Sequence, residues 1–289
     1  MRFLKAIFGF LKPQVFKRKE VGNIMRLISL ASGSSGNCTY IGSENTHILV
    51  DAGISCRKID NSLKEIGIKA SELSGIFVTH EHIDHIQGIR VLCKKYGIPI
   101  YATWETIIKI YHLDKKKEID HCLYQNILPD QSVPIGDLEV NPFSISHDAA
   151  NPLAYRVNQG KKSVAVVTDL GCYNDKIVQT LQGLDALLLE ANHDINMLEL
   201  GPYPYSLKRR VLGDSGHLSN EMAGQLLSKI MHGNLKSVML GHLSKENNME
   251  ELAYETVRLE VEMNCPDVKG TDINISVAKR DEVSNIIEV

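Results

Sequence analysis

The sequence lacks the features that mark disulfide-stapled, membrane-spanning and strongly basic proteins. Its six cysteines lie far apart and form no Cys-x-x-Cys pair, so neither a disulfide scaffold nor a thiolate metal site is predicted. No apolar run approaches the ~20 residues that a membrane-spanning helix needs. The formal net charge of −3 gives no general attraction to polyanions, so a nucleic acid would have to be held by local groups or by bound metal. We therefore expect a cytoplasmic protein with reduced, buried thiols.

The chain is long enough to bury a large core, and one domain is expected from Met25 onward. Its 289 residues are 43% hydrophobic, and no linker rich in proline, glycine or serine divides residues 25–289. Residues 1–24 differ, because basic and apolar residues alternate there without a small-residue cleavage site. We interpret 1–24 as a disordered extension, or as sequence upstream of a true start at Met25. The alternative is a basic amphipathic helix that makes peripheral contact with a membrane.

Short apolar runs alternate with stretches of helical spacing, which is typical of an α/β protein. The predicted strands are 27–30, 46–50, 76–78, 98–101, 138–146, 163–167, 186–189 and 238–240. The predicted helices are 56–66, 86–96, 175–181, 221–232 and 249–262.

A dense cluster of metal-ligand residues follows the apolar run at 75–78. His80 and His82 lie two residues apart and project to the same side of an extended segment. Asp84 is predicted to cap the helix that begins there, with His85 beside it. A surface or core role is the ordinary explanation for one histidine, but not for this cluster. The cluster therefore predicts one divalent ion at His80 and His82 and a second near Asp84 and His85.

Three further candidates each end a predicted strand. They are His147, Asp169 and His242. Because ligands collect at the carboxyl ends of strands in α/β folds, we expect four separate segments to deliver their side chains to one edge.

These candidates and their order resemble the metallo-β-lactamase fold superfamily, which carries His-x-His-x-Asp-His and then a His, an Asp and a His. Motifs at 30–37, 190–194 and 216–220 are similar to the YycJ/WalJ-like subfamily of DNA exonucleases. The resemblance implies a four-layer αβ/βα sandwich with two metal ions and a bridging carboxylate. It assigns the ligands as follows: His80, His82 and His147 to the first ion, Asp84, His85 and His242 to the second, and Asp169 to both.

Nitrogen and oxygen ligands without a thiolate suit two divalent ions, either Zn²⁺ or Mn²⁺. Two such ions activate a bridging water and clamp a phosphoryl or acyl group, so we expect hydrolysis. Asp84 is placed to accept the proton of the nucleophile.

Two residues outside the ligand set are candidates for catalysis. Glu190 ends a strand, and its spacing predicts a pair with His193; a structural carboxylate that caps a helix or pairs at the surface is the alternative. His217 lies in a loop that resembles the Ser-Gly-His motif of β-CASP and tRNase Z-type nucleases, which implies contact with the scissile phosphate or the leaving oxygen. Only 26 residues separate Glu190 from His217, so the large β-CASP insertion is absent.

A basic run and a glycine-serine loop are further candidates for substrate contact. Lys208, Arg209 and Arg210 are predicted to contact a nucleic-acid backbone, while nearby tyrosines stack on bases; a solvated face is the alternative. The loop at 32–37 precedes a strand-like run rather than a helix, so it predicts a turn at the rim of the site and not a P-loop. Trp104 is predicted to lie in the core.

The leading functional hypothesis is a dinuclear-metal phosphodiesterase, specifically an exonuclease on DNA. The first alternative is an acyl-type hydrolase of the same fold, acting on a β-lactam, lactone or thioester. Such an enzyme has no evident need for both Glu190 and His217. The second is a non-catalytic metal-binding regulator of envelope signalling. Such a protein is expected to have lost metal ligands, whereas all of the candidate ligands are present in this sequence.

Overall fold

Two seven-stranded sheets form the centre of the protein. The computed structural model describes residues 24–265 and 274–289. The strands are β1 (Arg26–Ala31), β2 (Cys38–Gly42), β3 (His47–Val50), β4 (Leu73–Phe77), β5 (Ile100–Ala102), β6 (Tyr124–Asn126), β7 (Val133–Ile135), β8 (Leu138–Ser144), β9 (Leu153–Gln159), β10 (Lys162–Val167), β11 (Ala186–Glu190), β12 (Ser237–Gly241), β13 (Asn274–Val277) and β14 (Ile287–Glu288).

The helices lie between these strands. They are α1 (Cys56–Glu65), α2 (Ile83–Ile86), α3 (Ile89–Tyr96), α4 (Trp104–Leu113), α5 (Asp175–Leu181), α6 (Ile195–Leu200), α7 (Tyr205–Leu212), α8 (Asn220–Ile230) and α9 (Glu250–Asn264), with short 3-10 turns at Ala70–Glu72 and His121–Leu123. Within the described ranges, no helix combines the length and the apolar composition needed to cross a bilayer.

Each sheet combines an antiparallel part with a parallel part. The first has the order β14-β1-β2-β3-β4-β5-β6 and the second β13-β12-β11-β10-β9-β8-β7. Strands β3 to β6 run parallel, as do β10 to β13. Parallel neighbours end at the same edge, so each sheet collects its strand-end residues on one side.

Three hydrophobic clusters define four layers. One lies between the sheets, where the Phe77 ring stacks on Tyr101 at 4.5 Å and meets the edge of Tyr155, from the second sheet, at 5.6 Å. A second joins the outer face of the first sheet to α1, α3 and α4, and a third joins the second sheet to α5, α8 and α9. The order helix, sheet, sheet, helix confirms the predicted four-layer αβ/βα sandwich.

Each predicted strand and helix corresponds to an observed element, with differences at the ends. The predicted helix at 86–96 is divided, because α2 ends at Ile86 and α3 begins at Ile89. Asp84 is not the cap of α2, since His82 takes that position and Asp84 lies in the first turn. Trp104 was wrongly assigned to the core, because it begins α4 and is 58% exposed. The proposed extension lies outside the described residues, except for Ile24.

Candidate metal centre and active site

Strand ends from both sheets meet where the candidate ligands lie. His80 follows β4, and Asp169 and His242 follow β10 and β12. Asp51, Asp169 and His242 have left-handed backbone conformations, with φ of 61°, 59° and 54°. Such values are uncommon outside glycine. They turn the chain sharply after β3, β10 and β12, at the edge where the candidate ligands gather.

The first group of ligands consists of three histidines. Nε2 of His80 lies 2.9 Å from Nδ1 of His82, and Nε2 of His147 lies 3.3 Å from the same nitrogen. In a tetrahedral zinc site with Zn–N distances of about 2.0–2.1 Å, the ligand nitrogens are about 3.3–3.4 Å apart. The three rings are therefore grouped at nearly the spacing that a bound ion imposes.

The second group brings Asp84, His85 and His242 together around Asp169. Nε2 of His85 lies 3.5 Å from Asp84 Oδ2 and 3.2 Å from Asp169 Oδ2. Asp169 Oδ1 is 3.6 Å from Nε2 of His242 and also 3.6 Å from Nε2 of His147, a member of the first group. The buried Asp169 carboxylate thus lies between the two groups.

Buried atoms without partners show that these residues fit a cation. His242 Nε2 and Asp169 Oδ2 form no hydrogen bond with any described residue, although Nε2 of His85 lies 3.2 Å from that oxygen. Leaving such atoms buried and unpaired is costly. A divalent ion would satisfy both, and the donor set of imidazoles and carboxylates suits Zn²⁺ or Mn²⁺.

The electrostatics of the site also favour positive charge. Burial opposes the charge on His242, but Asp169, Asp84 and Glu190 outweigh burial and raise its pKa to about 10. Burial likewise opposes ionisation of Asp169, yet the neighbouring His242 and His85 hold its pKa well below the usual value. Burial, followed by the charge of His85, holds the pKa of His80 well below normal, so His80 keeps the neutral form that a metal ligand needs.

Hydrogen bonds orient the ligand histidines from behind. Four of them use Nδ1 for a protein partner and direct Nε2 toward the site, as metal-bound histidines commonly do. The pairs are His80 with Thr79 Oγ1 (2.9 Å), His85 with Asp51 Oδ2 (2.8 Å), His147 with Gly216 O (3.1 Å) and His242 with Glu190 Oε1 (2.8 Å).

Three of the residues around the ligands escaped the sequence analysis. Asp51 accepts from the backbone N–H and the hydroxyl of Thr79 as well as contacting His85. Asn37 Nδ2 lies 3.1 Å from His85 Nε2 and 3.4 Å from Asp84 Oδ2. Asp51 directly follows β3, so the strand-end pattern that indicated Asp169 could have found it, whereas no local signal marks Asn37 or Thr79.

Glu190 is fully buried, and both of its oxygens are used. Oε1 lies 2.8 Å from Nδ1 of His217 and 2.8 Å from Nδ1 of His242. Oε2 accepts from the backbone N–H groups of Leu170 (2.7 Å) and Leu218 (3.2 Å). Burial works against ionisation, but these contacts, led by the charge of His217, lower the pKa of Glu190 to about 2. The predicted pair with His193 is wrong, since neither ring nitrogen of His193 has a hydrogen-bond partner among the described residues.

His217 lies at the edge of the metal groups, with its side chain 19% exposed. Glu190 contacts Nδ1, and the backbone N–H of His217 donates to Val211 O at 3.0 Å. Burial lowers the pKa of His217, but Glu190 outweighs burial and raises it above the usual value. His217 also lies close enough to Asp169, Glu190 and His242 to share an ion with them. The geometry therefore permits a role toward substrate or a role as a ligand.

The basic run lies on α7, which leads into the loop of His217. Lys208 Nζ donates to Glu199 O at 2.7 Å, and the Arg209 guanidinium lies 6.0 Å from the Tyr205 ring centre. Arg210 pairs with Asp148, whose Oδ1 is 3.4 Å from Nε2 of His147. Of the three cations, Arg210 is thus tied to the ligand groups, and contact with nucleic acid stays a prediction for all three.

Comparison with known proteins gives consistent matches. Residues 46–242 match the family described as the beta-lactamase superfamily domain. The chain is 40% identical over 228 residues to "Exodeoxyribonuclease YycJ" of Bacillus anthracis, covering 79% of this chain and 86% of the relative. It is also 40% identical over 231 residues to "Exodeoxyribonuclease WalJ" of Streptococcus pneumoniae strain D39, covering 79% and 85%.

Solved structures share the fold at low sequence identity. The metallo-beta-lactamase fold protein YhfI from Bacillus subtilis superposes with a TM-score of 0.67 at 18% identity, covering 92% of this chain and all of that one. The short form of human tRNase Z gives a TM-score of 0.63 at 16% identity, covering 90% and 99%.

Proposed function

The chain belongs to the beta-lactamase superfamily and is a metal-dependent hydrolase, and we propose that it is an exonuclease on DNA that uses two divalent ions. The observation that carries the proposal is the 40% identity, over about four-fifths of the chain, to two relatives named exodeoxyribonucleases. The pair of Glu190 and His217 beside the ligand groups supports phosphoryl chemistry, because a nucleotide leaving group benefits from a proton donor.

The proposed ions are held by the two groups of ligands that meet at Asp169. When bound, such ions supply a water of lowered pKa and neutralise charge on the phosphate oxygens. His80, His82 and His147 would hold one ion, and Asp84, His85 and His242 the other. Asp169 faces both groups and would serve both ions.

The chain's own groups would move the protons. Asp84 is the proposed base, because its side chain is 21% exposed and therefore within reach of a nucleophile at the mouth of the site. His217 is the proposed acid at the leaving oxygen. The contact of Glu190 with Nδ1 fixes the ring and leaves Nε2 for the substrate, so Glu190 is a positioning residue for His217.

The activity is tested on end-labelled single- and double-stranded DNA and RNA, with Mn²⁺ or Zn²⁺ supplied. We expect mononucleotides to accumulate from DNA ends, and we expect a chelator to stop the reaction. An Asp169→Asn variant is the inactive control, since it keeps the shape of the side chain but removes the charge that is proposed to serve both ions. Intact DNA alongside rapid hydrolysis of a lactone, thioester or β-lactam would identify an acyl hydrolase instead.

The number of ions is tested by elemental analysis of the loaded protein. We expect about two ions per chain, because the ligands exceed what one tetrahedral site uses. Asp169→Ala should lose both ions more readily than His147→Ala, since only Asp169 is proposed to serve both. One ion or fewer in a folded wild-type protein would contradict the two-metal proposal.

A further inference from the structure

A cavity of about 170 Å³ adjoins the candidate metal centre. Ser32, Ser244, Lys245 and Arg280 are among the residues that line it. Ser32 belongs to both places, because its Oγ accepts a hydrogen bond from the backbone N–H of His242 at 2.8 Å. Ser32 therefore lies between the cavity and the second group of ligands.

The two serine hydroxyls that line the cavity are buried, and both accept hydrogen bonds from the protein. Ser32 and Ser244 are 5% and 9% exposed. Ser32 Oγ accepts from His242, and Ser244 Oγ accepts from the backbone and side-chain nitrogens of Asn247 at 3.2 and 3.3 Å. A hydroxyl that accepts still has its own proton to donate. Among the described residues, the Ser32 hydroxyl has no acceptor for its own proton.

Two cations line the same cavity. Arg280 uses Nη2 to donate to Leu243 O at 2.7 Å, which leaves the other N–H groups of its guanidinium available. Lys245 is exposed, and it forms no ion pair within the described ranges. The one carboxylate among the lining residues is that of Glu250, which is exposed to solvent as Lys245 is. Two cations and one carboxylate leave the lining with a net positive charge.

The glycine-serine loop explains how Arg280 reaches this position. A Cβ on Gly33 would lie 2.5 Å from Arg280 Nη1, and Gly33 has φ of +144°. The backbone N–H of Ser32 donates to Arg280 O at 3.3 Å. The loop that the sequence predicts as a rim turn therefore lies against the guanidinium of Arg280, and the φ of Gly33 is one that favours glycine.

We propose that this cavity, the Arg280 pocket, binds a phosphate group of the substrate other than the one being cleaved. The inference rests on the proposed function and deepens it. Hydroxyl and guanidinium donors with a nearby ammonium match the acceptor oxygens of a phosphate. The cavity of about 170 Å³ has room for a phosphate group, since it is several times the roughly 30 Å³ that a water molecule occupies in the liquid. Holding a second phosphate would fix the register of the strand relative to the metal centre.

The pocket is first tested with inorganic phosphate and the metal-free full-length chain, by calorimetry or phosphorus NMR. We expect phosphate to bind the wild type, and Lys245→Gln and Arg280→Gln to weaken binding by about tenfold or more, as a lost charge-assisted contact does. Lys279→Gln is the matched control, because Lys279 is a neighbouring exposed lysine outside this cavity. Equal binding by all four proteins would place phosphate elsewhere and overturn the proposal.

The metal-loaded proteins then show which phosphate is bound. If it is the terminal one, removing that phosphate from an oligonucleotide lowers kcat/KM for the wild type but not for Lys245→Gln. If it is an internal one, Lys245→Gln lowers kcat/KM equally on both oligonucleotides, mainly through KM. Both variants should hydrolyse bis-p-nitrophenyl phosphate at the parental rate, because that substrate has no second phosphate.

Parental degradation of both oligonucleotides by Lys245→Gln and Arg280→Gln would overturn the proposal. The two proposals fail in different ways. A wild type that leaves DNA intact contradicts the exonuclease, whereas the titration with inorganic phosphate decides the pocket independently.

Discussion

Glu190 links a proposed metal ligand to a proposed proton donor through a single oxygen. That oxygen contacts His242 and His217, each at 2.8 Å, while the other oxygen is fixed by two backbone N–H groups. A carboxylate so placed orients both rings and favours their protonated forms. The position of His217 relative to the ligands is therefore set by a buried residue that itself has no oxygen left for substrate.

Replacing His217 with alanine tests its proposed role. We expect both metals to stay bound and DNA turnover to fall by about 10²–10⁴-fold, the range for a lost general acid or base. Hydrolysis of bis-p-nitrophenyl phosphate should fall less, since its leaving group needs little proton donation. Steady-state kinetics and elemental analysis measure both effects, with His112→Ala on the exposed face of α4 as the control. Loss of an ion, or cleavage of DNA at the parental rate, would return His217 to a ligand or structural role.

His193 provides a test of pH dependence. Burial lowers its pKa to about 4, against about 6.5 in an unfolded chain. Because the unfolded state binds the proton more tightly, the native state loses stability as the pH falls from about 6.5 toward 4, by about 3 kcal/mol in all. His193→Leu removes this term. We expect urea unfolding of the metal-free proteins to show the wild type losing stability relative to the variant over that interval, and a pH-independent difference would contradict this.

The failed pairing of Glu190 with His193 shows a limit of sequence analysis. A spacing of three brings side chains together on a helix, but in an extended chain it places them on opposite sides. Glu190 ends β11, and the chain continues through an isolated bridge between His193 and Ser219 before α6 begins. The true partners of Glu190 are 27 and 52 residues away, and no local pattern indicates them.

Among the helices and strands, local patterns indicate the ligands at the ends of strands but not the residues that contact those ligands. The proposed ligands stand out because each follows an apolar run that is short, buried and local in sequence. The predicted elements do not include strand β9, because it alternates apolar residues with Arg156 and Asn158 and is defined by its pairing with β8 and β10. They do not include helix α4 either. The predicted turn at 32–37 is present, with the Gly36 N–H donating to Gly33 O at 2.9 Å. The contacts of Asn37 with Asp84 and His85 depend on a distant segment, so no local pattern predicts them.

The loop after β3 is packed directly against the start of α2. A Cβ on Gly53 would lie 1.6 Å from Asp84 O, and Gly53 N donates to Asn37 O at 2.7 Å. Gly53→Ala must therefore displace the backbone of a proposed ligand. We expect weaker binding of metal and a loss of about 1–3 kcal/mol in the free energy of unfolding, as overpacking produces.

Denaturant titration and metal content measure the effect of Gly53→Ala. Gly233→Ala is the matched control, because a Cβ there meets nothing within 4 Å. Equal stability and equal metal content in the two variants would show that the loop is free to move away from α2.

For the whole molecule, local patterns predict the fold class but neither the layers nor the order of strands. Amphipathic helices and short apolar runs indicate an α/β protein. The order of each sheet depends on pairings between distant segments, such as β1 with β14, whose partners Arg26 and Glu288 lie 262 positions apart. The resemblance to a known family, rather than periodicity, supplied the four-layer arrangement.

Deleting residues 1–24 tests the boundary of the domain. Met25 is buried, its N–H donates to Val289 O at 3.1 Å, and β1 begins at Arg26. We expect the truncated protein to keep its circular dichroism spectrum, its metal content and its hydrolysis. Unfolding or loss of activity would make the extension part of the domain. If the truncated protein differs from the full chain only in that it no longer sediments with anionic vesicles, the result would support the peripheral membrane contact.

The two halves of the chain build the two sheets, except that β14, from the second half, completes the first sheet, and the proposed metal ligands divide between the same two halves. Strands β1 to β6 precede residue 127, and β7 to β13 follow residue 132. His80, His82, Asp84 and His85 come from the first half, whereas His147, Asp169 and His242 come from the second. A break at 127–132 would separate the ligands into two incomplete sets, so hydrolysis by two separately produced fragments would report directly on their reassociation.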